Sequence, residues 1–214
     1  GKLLAEVSGH KAILWAADIS PDGKHIITAG SDCNLMLWTM DGKPEATFRG
    51  HDWDVYSAKF SPDGKMILSS SGDNTARLWN TNGKIIKVLE ICEDNRFSQS
   101  IVSQAVFSPD CKYVLMAAND RLNINHRARL WDISGKELVT FGGHKEFINS
   151  VAFSPDGSQI ITSSRDKIVR VFGLSGRLEK VLKGHDSNVW SSQFLPDNQG
   201  IITVGDDRTI RTWT

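Results

Sequence analysis

Short apolar runs recur along the chain, each bounded by Gly, Pro, Asp or Ser. "HIITAG" (25–30), "MILSS" (66–70), "QIITSS" (159–164) and "GIITVG" (200–205) are examples. They are too short for helices and rich in isoleucine, a pattern that predicts strands. A Pro-Asp turn precedes each run: "SPDG" at Ser20, Ser61 and Ser154, "SPDC" at Ser108 and "LPDN" at Leu195. Pro presets φ, Asp hydrogen-bonds the local backbone, and Gly accepts φ > 0 on leaving. Asn198 tolerates that last conformation, Cys111 less well.

The runs belong to a longer period. Trp38 and Trp79 are 41 residues apart, Trp131 follows after 52, Phe172 after 41 and Trp213 after 41 more. Gly-His pairs end at His10, His51, His144 and His185, each 28 residues before its Trp or Phe. Each period reads as four strands: one after Gly-His, one after the Pro-Asp turn, one ending at Trp and one before the next Gly-His. The chain, residues 1–214, is therefore expected to be one all-β domain of five repeats.

Four strands in about 41 residues, a Gly-His start and a closing Trp resemble the WD40 repeat of β-propellers. The resemblance covers essentially the whole chain, although the Trp-Asp dipeptide is literal only at Trp131-Asp132. It implies a β-propeller of four-stranded antiparallel blades. The opening "KLLAEV" matches later fourth strands such as "EATFRG" and "EKVLKG", so it is expected to supply the outer strand of the last blade. Closing five blades requires about 72° per step, against about 51° for seven. A single ring, part of a longer array and a strand-exchanged oligomer all stay open.

His51, Ser69 and Asp73 have the residue types of a hydrolytic triad. The set recurs, however: His10, Thr28 and Asp32 with Trp38; His51, Ser69 and Asp73 with Trp79; His144, Thr162 and Asp166 with Phe172; His185, Thr203 and Asp207 with Trp213. Four catalytic sites in so short a chain would be odd. In the WD40 family these positions form a structural tetrad, because a buried indole N–H needs an acceptor and a hydroxyl passes a bond on to imidazole. Phe172 lacks that N–H. The third repeat has Met116 at the hydroxyl position, Asn125 for Asp and no Gly-His. It also carries two insertions, around "EICEDNRFSQS" and "NDRLNINHRARL". The resemblance implies that both lie on one rim, either as a binding feature or as surface loops lengthened at little cost.

The resemblance also points to partner contacts. Trp15, Tyr56, Asn149 and Trp190 fall at the family's channel mouth, Trp53 lies in a neighbouring loop, and Arg165 precedes a tight-turn Asp. In a closed ring Trp190, Trp15 and Tyr56 would be consecutive. These side chains either bind a peptide or pack the channel.

Charge does not redirect this reading. Lys+Arg and Asp+Glu each total 25, which gives no general pull toward nucleic acid or an anionic membrane. Cys33, Cys92 and Cys111 form no Cys-x-x-Cys pair and fit a reducing, cytoplasmic compartment. His25, Asp120, His126 and Arg127 show no metal-ligand spacing, so no metal or cofactor is expected. The leading expectation is a non-catalytic scaffold for a protein or peptide, as a monomer or strand-exchanged oligomer. The alternatives are a regulatory module cut from a larger kinase- or NTPase-type protein and, further off, a propeller hydrolase.

Overall fold

The computed structural model describes residues 1, 3, 5–91, 100–120 and 126–214. Its described residues form nineteen strands in five antiparallel sheets and no helix. The first sheet holds β1 (Leu14–Ile19), β2 (His25–Gly30), β3 (Leu35–Thr39) and β4 (Pro44–Phe48). The second holds β5 (Val55–Phe60), β6 (Met66–Ser71), β7 (Thr75–Asn80) and β8 (Ile85–Glu90). The third, β9 (Ser100–Phe107), β10 (Tyr113–Asp120), β11 (His126–Asp132) and β12 (Glu137–His144), comes from the irregular repeat. The fourth holds β13 (Ile148–Phe153), β14 (Gln159–Ser164), β15 (Ile168–Gly173) and β16 (Leu178–Lys183). The fifth holds only β17 (Val189–Phe194), β18 (Ile201–Gly205) and β19 (Ile210–Trp213).

The turns behave as their chemistry dictates. Gly23, Gly64 and Gly157 take φ of 71–72°, and Cys111 and Asn198 adopt the same left-handed conformation at 60° and 61°. In each serine turn the Ser hydroxyl donates to the Asp two residues on, as Ser61 does to Asp63 at 2.7 Å. It also accepts the N–H of the residue five positions on, as from Met66 at 2.9 Å.

Sheets stack through apolar faces, the first strand of one blade against its neighbours' first strands. Leu35, Val55, Ala58 and Trp79 fill the first junction; Ala128, Ile148, Val151 and Phe172 fill the third. The stack does not close. Ile210 on β19 is 70% exposed, whereas its counterparts Leu35, Ala76, Ala128 and Val169 are fully buried. Leu14 on β1 is 49% exposed, whereas Val55, Val102 and Val189 are fully buried. The side chains in each junction hold neighbouring sheets at their packing distance of about 10 Å, and the four junctions between the five sheets stop short of a full turn.

This corrects the expected closure by the N-terminal strand. Lys2 and Leu4 lie outside the described residues, and residues 5–7 form no strand. They pack instead beside Gly42, whose added Cβ would stand 3.4 Å from Ala5 Cβ and 3.6 Å from Val7 Cγ1. Gly83, Gly135 and Gly176 meet β4, β8 and β12 of the preceding blade in the same way. Residues 5–7 thus take the place of an outer strand preceding the first blade, on the side away from β19.

The insertions of the third repeat, with Cys92 and Asn125, fall largely on 92–99 and 121–125, outside the described residues. Around them a different set of bonds ties the third blade to the fourth. The fully buried Asn119 amide accepts from Ile148 N–H at 2.7 Å and donates to Ile148 O at 2.9 Å and Ser103 Oγ at 2.8 Å. Gln104 Oε1 accepts from Val151 N–H at 2.8 Å.

Candidate functional site

Each suspected triad is assembled, and each is sealed. His51 Nδ1 lies 2.7 Å from Asp73, His51 Nε2 lies 2.7 Å from Ser69 Oγ, and Trp79 Nε1–H donates to that oxygen at 2.8 Å. The first blade repeats this with His10–Asp32 at 2.9 Å, His10–Thr28 at 2.8 Å and Trp38–Thr28 at 2.8 Å. The fifth does so with His185–Asp207 at 2.7 Å, His185–Thr203 at 2.7 Å and Trp213–Thr203 at 3.0 Å. In the fourth, His144 joins Asp166 at 2.9 Å and Thr162 at 2.8 Å, with Phe172 donating nothing.

In the first, second and fifth blades one proton order satisfies every member. The carboxylate makes Nδ1 the protonated nitrogen, so Nε2 accepts from the hydroxyl, whose oxygen accepts from the indole. That order matches an activated serine, yet Ser69 is wholly buried and its oxygen is taken up by Trp79. An acyl group has no approach to it. Each Asp also accepts a backbone N–H just after the histidine, as Asp52 N–H donates to Asp73 at 3.1 Å. The chain before the first strand is thereby pinned to the turn.

Titration follows from this burial. The His51 and His144 imidazoles are pushed below their ordinary value, first by burial, with Asp73 and Asp166 pulling the other way. Burial alone would raise the Asp166 carboxyl, but the His144 bond and charge and the Lys145 N–H outweigh it and hold it at about 2. Asp73 is lowered in the same sense, burial being outweighed by His51, Thr75 and the Asp52 N–H.

Both kinds of group favour the fold at neutral pH. The unfolded histidines protonate near 6.5, so their contribution is complete above that value and declines as the pH falls below it. The carboxylate contribution is complete above 3.8 and is lost as the pH falls toward the folded value of about 2, on the order of 2 kcal/mol for Asp166. Thermal melts across a pH series should therefore give a flat midpoint near neutrality, a decline below 6.5 and a steeper one below 3.8.

The third blade has no such set among the described residues. Trp131 Nε1 and both His126 ring nitrogens are buried without a hydrogen-bond partner, and Met116 fills the hydroxyl position. Trp131→Phe discards an orphaned donor, whereas Trp79→Phe discards a made bond and strips Ser69 of its donor. In chemical denaturation Trp79→Phe should cost about 1–2 kcal/mol more than Trp131→Phe.

The rim opposite the Pro-Asp turns carries the predicted contact residues in two groups. Trp15 and Tyr56 meet edge to face, with ring centroids 6.1 Å apart. Trp53 lies beside them: a Cβ on Gly72 would stand 2.6 Å from Trp53 Cδ1 and 3.2 Å from the Tyr56 hydroxyl. At the other end Arg165 lies over Phe147, 4.8 Å from its centroid, and over Trp190 at 5.8 Å. Arg165 Nε–H donates to Asn149 Oδ1 at 3.3 Å, and Asn149 Nδ2–H donates to Val189 O at 2.9 Å. Because the stack is open, Trp190 does not come round beside Trp15, contrary to the closed-ring expectation. Phe147 was missed in the sequence; its place three residues after His144 was the available signal.

A repeat-built stack of antiparallel blades, four of the five pinned by a histidine-hydroxyl-carboxylate relay, defines a propeller-type repeat protein. The chain belongs to the WD40 family: the model for "WD domain, G-beta repeat" matches residues 1–39, 42–80, 135–173 and 176–214. The match passes over 81–134, which include the third blade's first three strands.

Among curated proteins, the chain is 35% identical over 80 residues to target of rapamycin complex subunit wat1 of Schizosaccharomyces pombe, covering 36% of this chain and 24% of that protein. It is 40% identical over 48 residues to serine-threonine kinase receptor-associated protein of Gallus gallus, covering 22% and 13%. It is also 40% identical over 47 residues to lissencephaly-1 homolog 1 of Paramecium tetraurelia, covering 22% and 12%. The matched stretch thus spans a quarter or less of each of these relatives. No helix among the described residues is long and apolar enough to cross a membrane.

Proposed function

We propose that the chain is a non-catalytic adaptor that binds a protein or peptide segment across the rim bearing Trp15, Tyr56, Trp53, Arg165, Asn149 and Trp190. One observation carries this reading: Trp15, Trp53 and Trp190 are 51%, 53% and 47% exposed, while Trp38 and Trp79 are buried. Indoles held in water by rigid loops offer large apolar area at little entropic cost, as interface anchors do. The relatives' names point the same way, one being a complex subunit and another a receptor-associated protein. Cys33 and Cys111 are free thiols, which agrees with a cytoplasmic setting.

Selection of binders from a random-peptide display library tests this. The selected peptides should lose binding on Trp15→Ala or Trp190→Ala and keep it on Lys24→Ala at a Pro-Asp turn. Peptides indifferent to both tryptophans would overturn the rim as the binding face.

A second reading rests on the end faces. Leu14 on one and Ile210 on the other are exposed where every internal junction buries the equivalent residue. Such faces fit each other head to tail, so we propose that a second copy of the chain covers them, with its residues 5–7 lying beside β19. Light scattering should give at least twice the 23.7 kDa of one chain. Leu14→Glu alone and Ile210→Glu alone should lower that mass, and mixing the two variants should restore association through the one intact junction. A wild-type mass of 23.7 kDa would overturn this.

A further inference from the structure

Four blades carry the same pair of rim positions, namely the fifth residue after the Gly-His histidine and the residue before the tight-turn aspartate. Trp15 donates its Nε1–H to Ser31 Oγ at 2.7 Å, Trp190 donates to the Asp206 carboxylate, and Asn149 accepts from Arg165. In the second blade the pair is Tyr56 and Gly72, so the second position has no side chain. That gap admits the Trp53 ring, which would collide with any Cβ at 72. Trp15, Tyr56 and Trp53 thereby gather at one end of the rim, with the two indoles more than half exposed.

The other end shows what such an arrangement holds. There the planar guanidinium of Arg165 lies over both Phe147 and Trp190, and these are the cation–π contacts found among the described residues. Among the described residues the Trp15–Tyr56–Trp53 group has no such cation of its own. Carboxylates lie close by along the chain: Asp52 and Asp54 flank Trp53 in sequence, and Asp32 and Asp73, already bonded to His10 and His51, sit in the tight turns next to Ser31 and Gly72. Behind burial, the negative field of these four raises the Cys33 thiol in the same loop region. An apolar ligand would strip water from Asp52 and Asp54 without compensating them. A cation gains from both the ring faces and the carboxylates, and a guanidinium also stacks.

We infer that the Trp15–Tyr56–Trp53 group receives an arginine side chain presented by the protein partner, in the way Arg165 is held between Phe147 and Trp190. This rests on the rim as the binding face and names the chemistry that one end of it recognises.

The test follows the seven indole N–H resonances by NMR during titration with N-acetyl-arginine methylamide, with N-acetyl-norleucine methylamide as control. The Trp15 and Trp53 signals should move saturably with the arginine compound and not with the control, while Trp38, Trp79 and Trp213 stay in place. Trp53→Ala should weaken the response about tenfold or more with little change in thermal midpoint. Trp15→Phe, which keeps a ring, should weaken it less. Equal shifts with both compounds, or none at Trp15 and Trp53, would overturn the arginine site. If rim-dependent peptides are still selected in that case, the binding face stands and only its arginine chemistry fails.

Discussion

Ser69→Ala should lower the stability of the chain by about 2–4 kcal/mol, among the largest losses available from deleting a single oxygen. The hydroxyl serves two buried groups at once, accepting from Trp79 Nε1–H and donating to His51 Nε2. Removing it orphans both, at about 1–3 kcal/mol for each unsatisfied group. For a chain of this length the thermal midpoint should fall by roughly 5–15 °C. Ser158→Ala, in an exposed turn where the hydroxyl meets only Asp156, should stay within about 0.5 kcal/mol of the parent. A Ser69→Ala protein as stable as the Ser158→Ala control would mean that the relay does not hold the blade.

Asn119→Ala should cost a similar amount, about 2–4 kcal/mol, through a different mechanism. Its side chain lies in the third blade, while two of its partners are the backbone N–H and carbonyl of Ile148 in the fourth. Truncation breaks the polar tie across that junction and removes a donor from Ser103. Asn119→Asp discriminates further. It keeps an acceptor for Ile148 N–H but turns a carboxylate oxygen toward the Ile148 carbonyl, so its loss should be larger at neutral pH than in mild acid. Equilibrium denaturation at the two pH values reads this directly.

The repeat was legible because its determinants are local and periodic. Trp38, Trp79 and Trp213, the histidines 28 residues before them and the Pro-Asp turns recur in one register, and any one blade predicts the others. The tetrads were legible for the same reason. Closure was not. It depends on the angle between sheets, which is set by how Leu35, Val55 and Trp79 or Ile148 and Phe172 interdigitate, and no single repeat encodes that angle. Asn119 escaped notice because its role exists only once the third and fourth blades are side by side.

The left-handed turn positions were half legible. Asn74 and Asn198 are natural occupants, but Lys167 and Arg208 take φ of 70° and 63° with side chains that do not favour it. Their conformation is imposed by Asp166 and Asp207, which each accept a backbone N–H from just past the turn at Ile168 and Thr209. At the rim, the position of Trp15, Tyr56 and Trp190 was implied by the resemblance to the WD40 repeat. The companionship of Arg165 with Phe147 and Trp190 was not, because it joins side chains from two blades.

Hydrogen–deuterium exchange of the seven indole protons tests most directly whether the recurring histidine sets are sealed pins and the three rim tryptophans a working surface. Trp38 and Trp79 should exchange at least about a hundredfold more slowly than Trp15, Trp53 and Trp190. Equal rates across the buried and rim indoles would contradict the division of labour on which both the fold and the binding face rest.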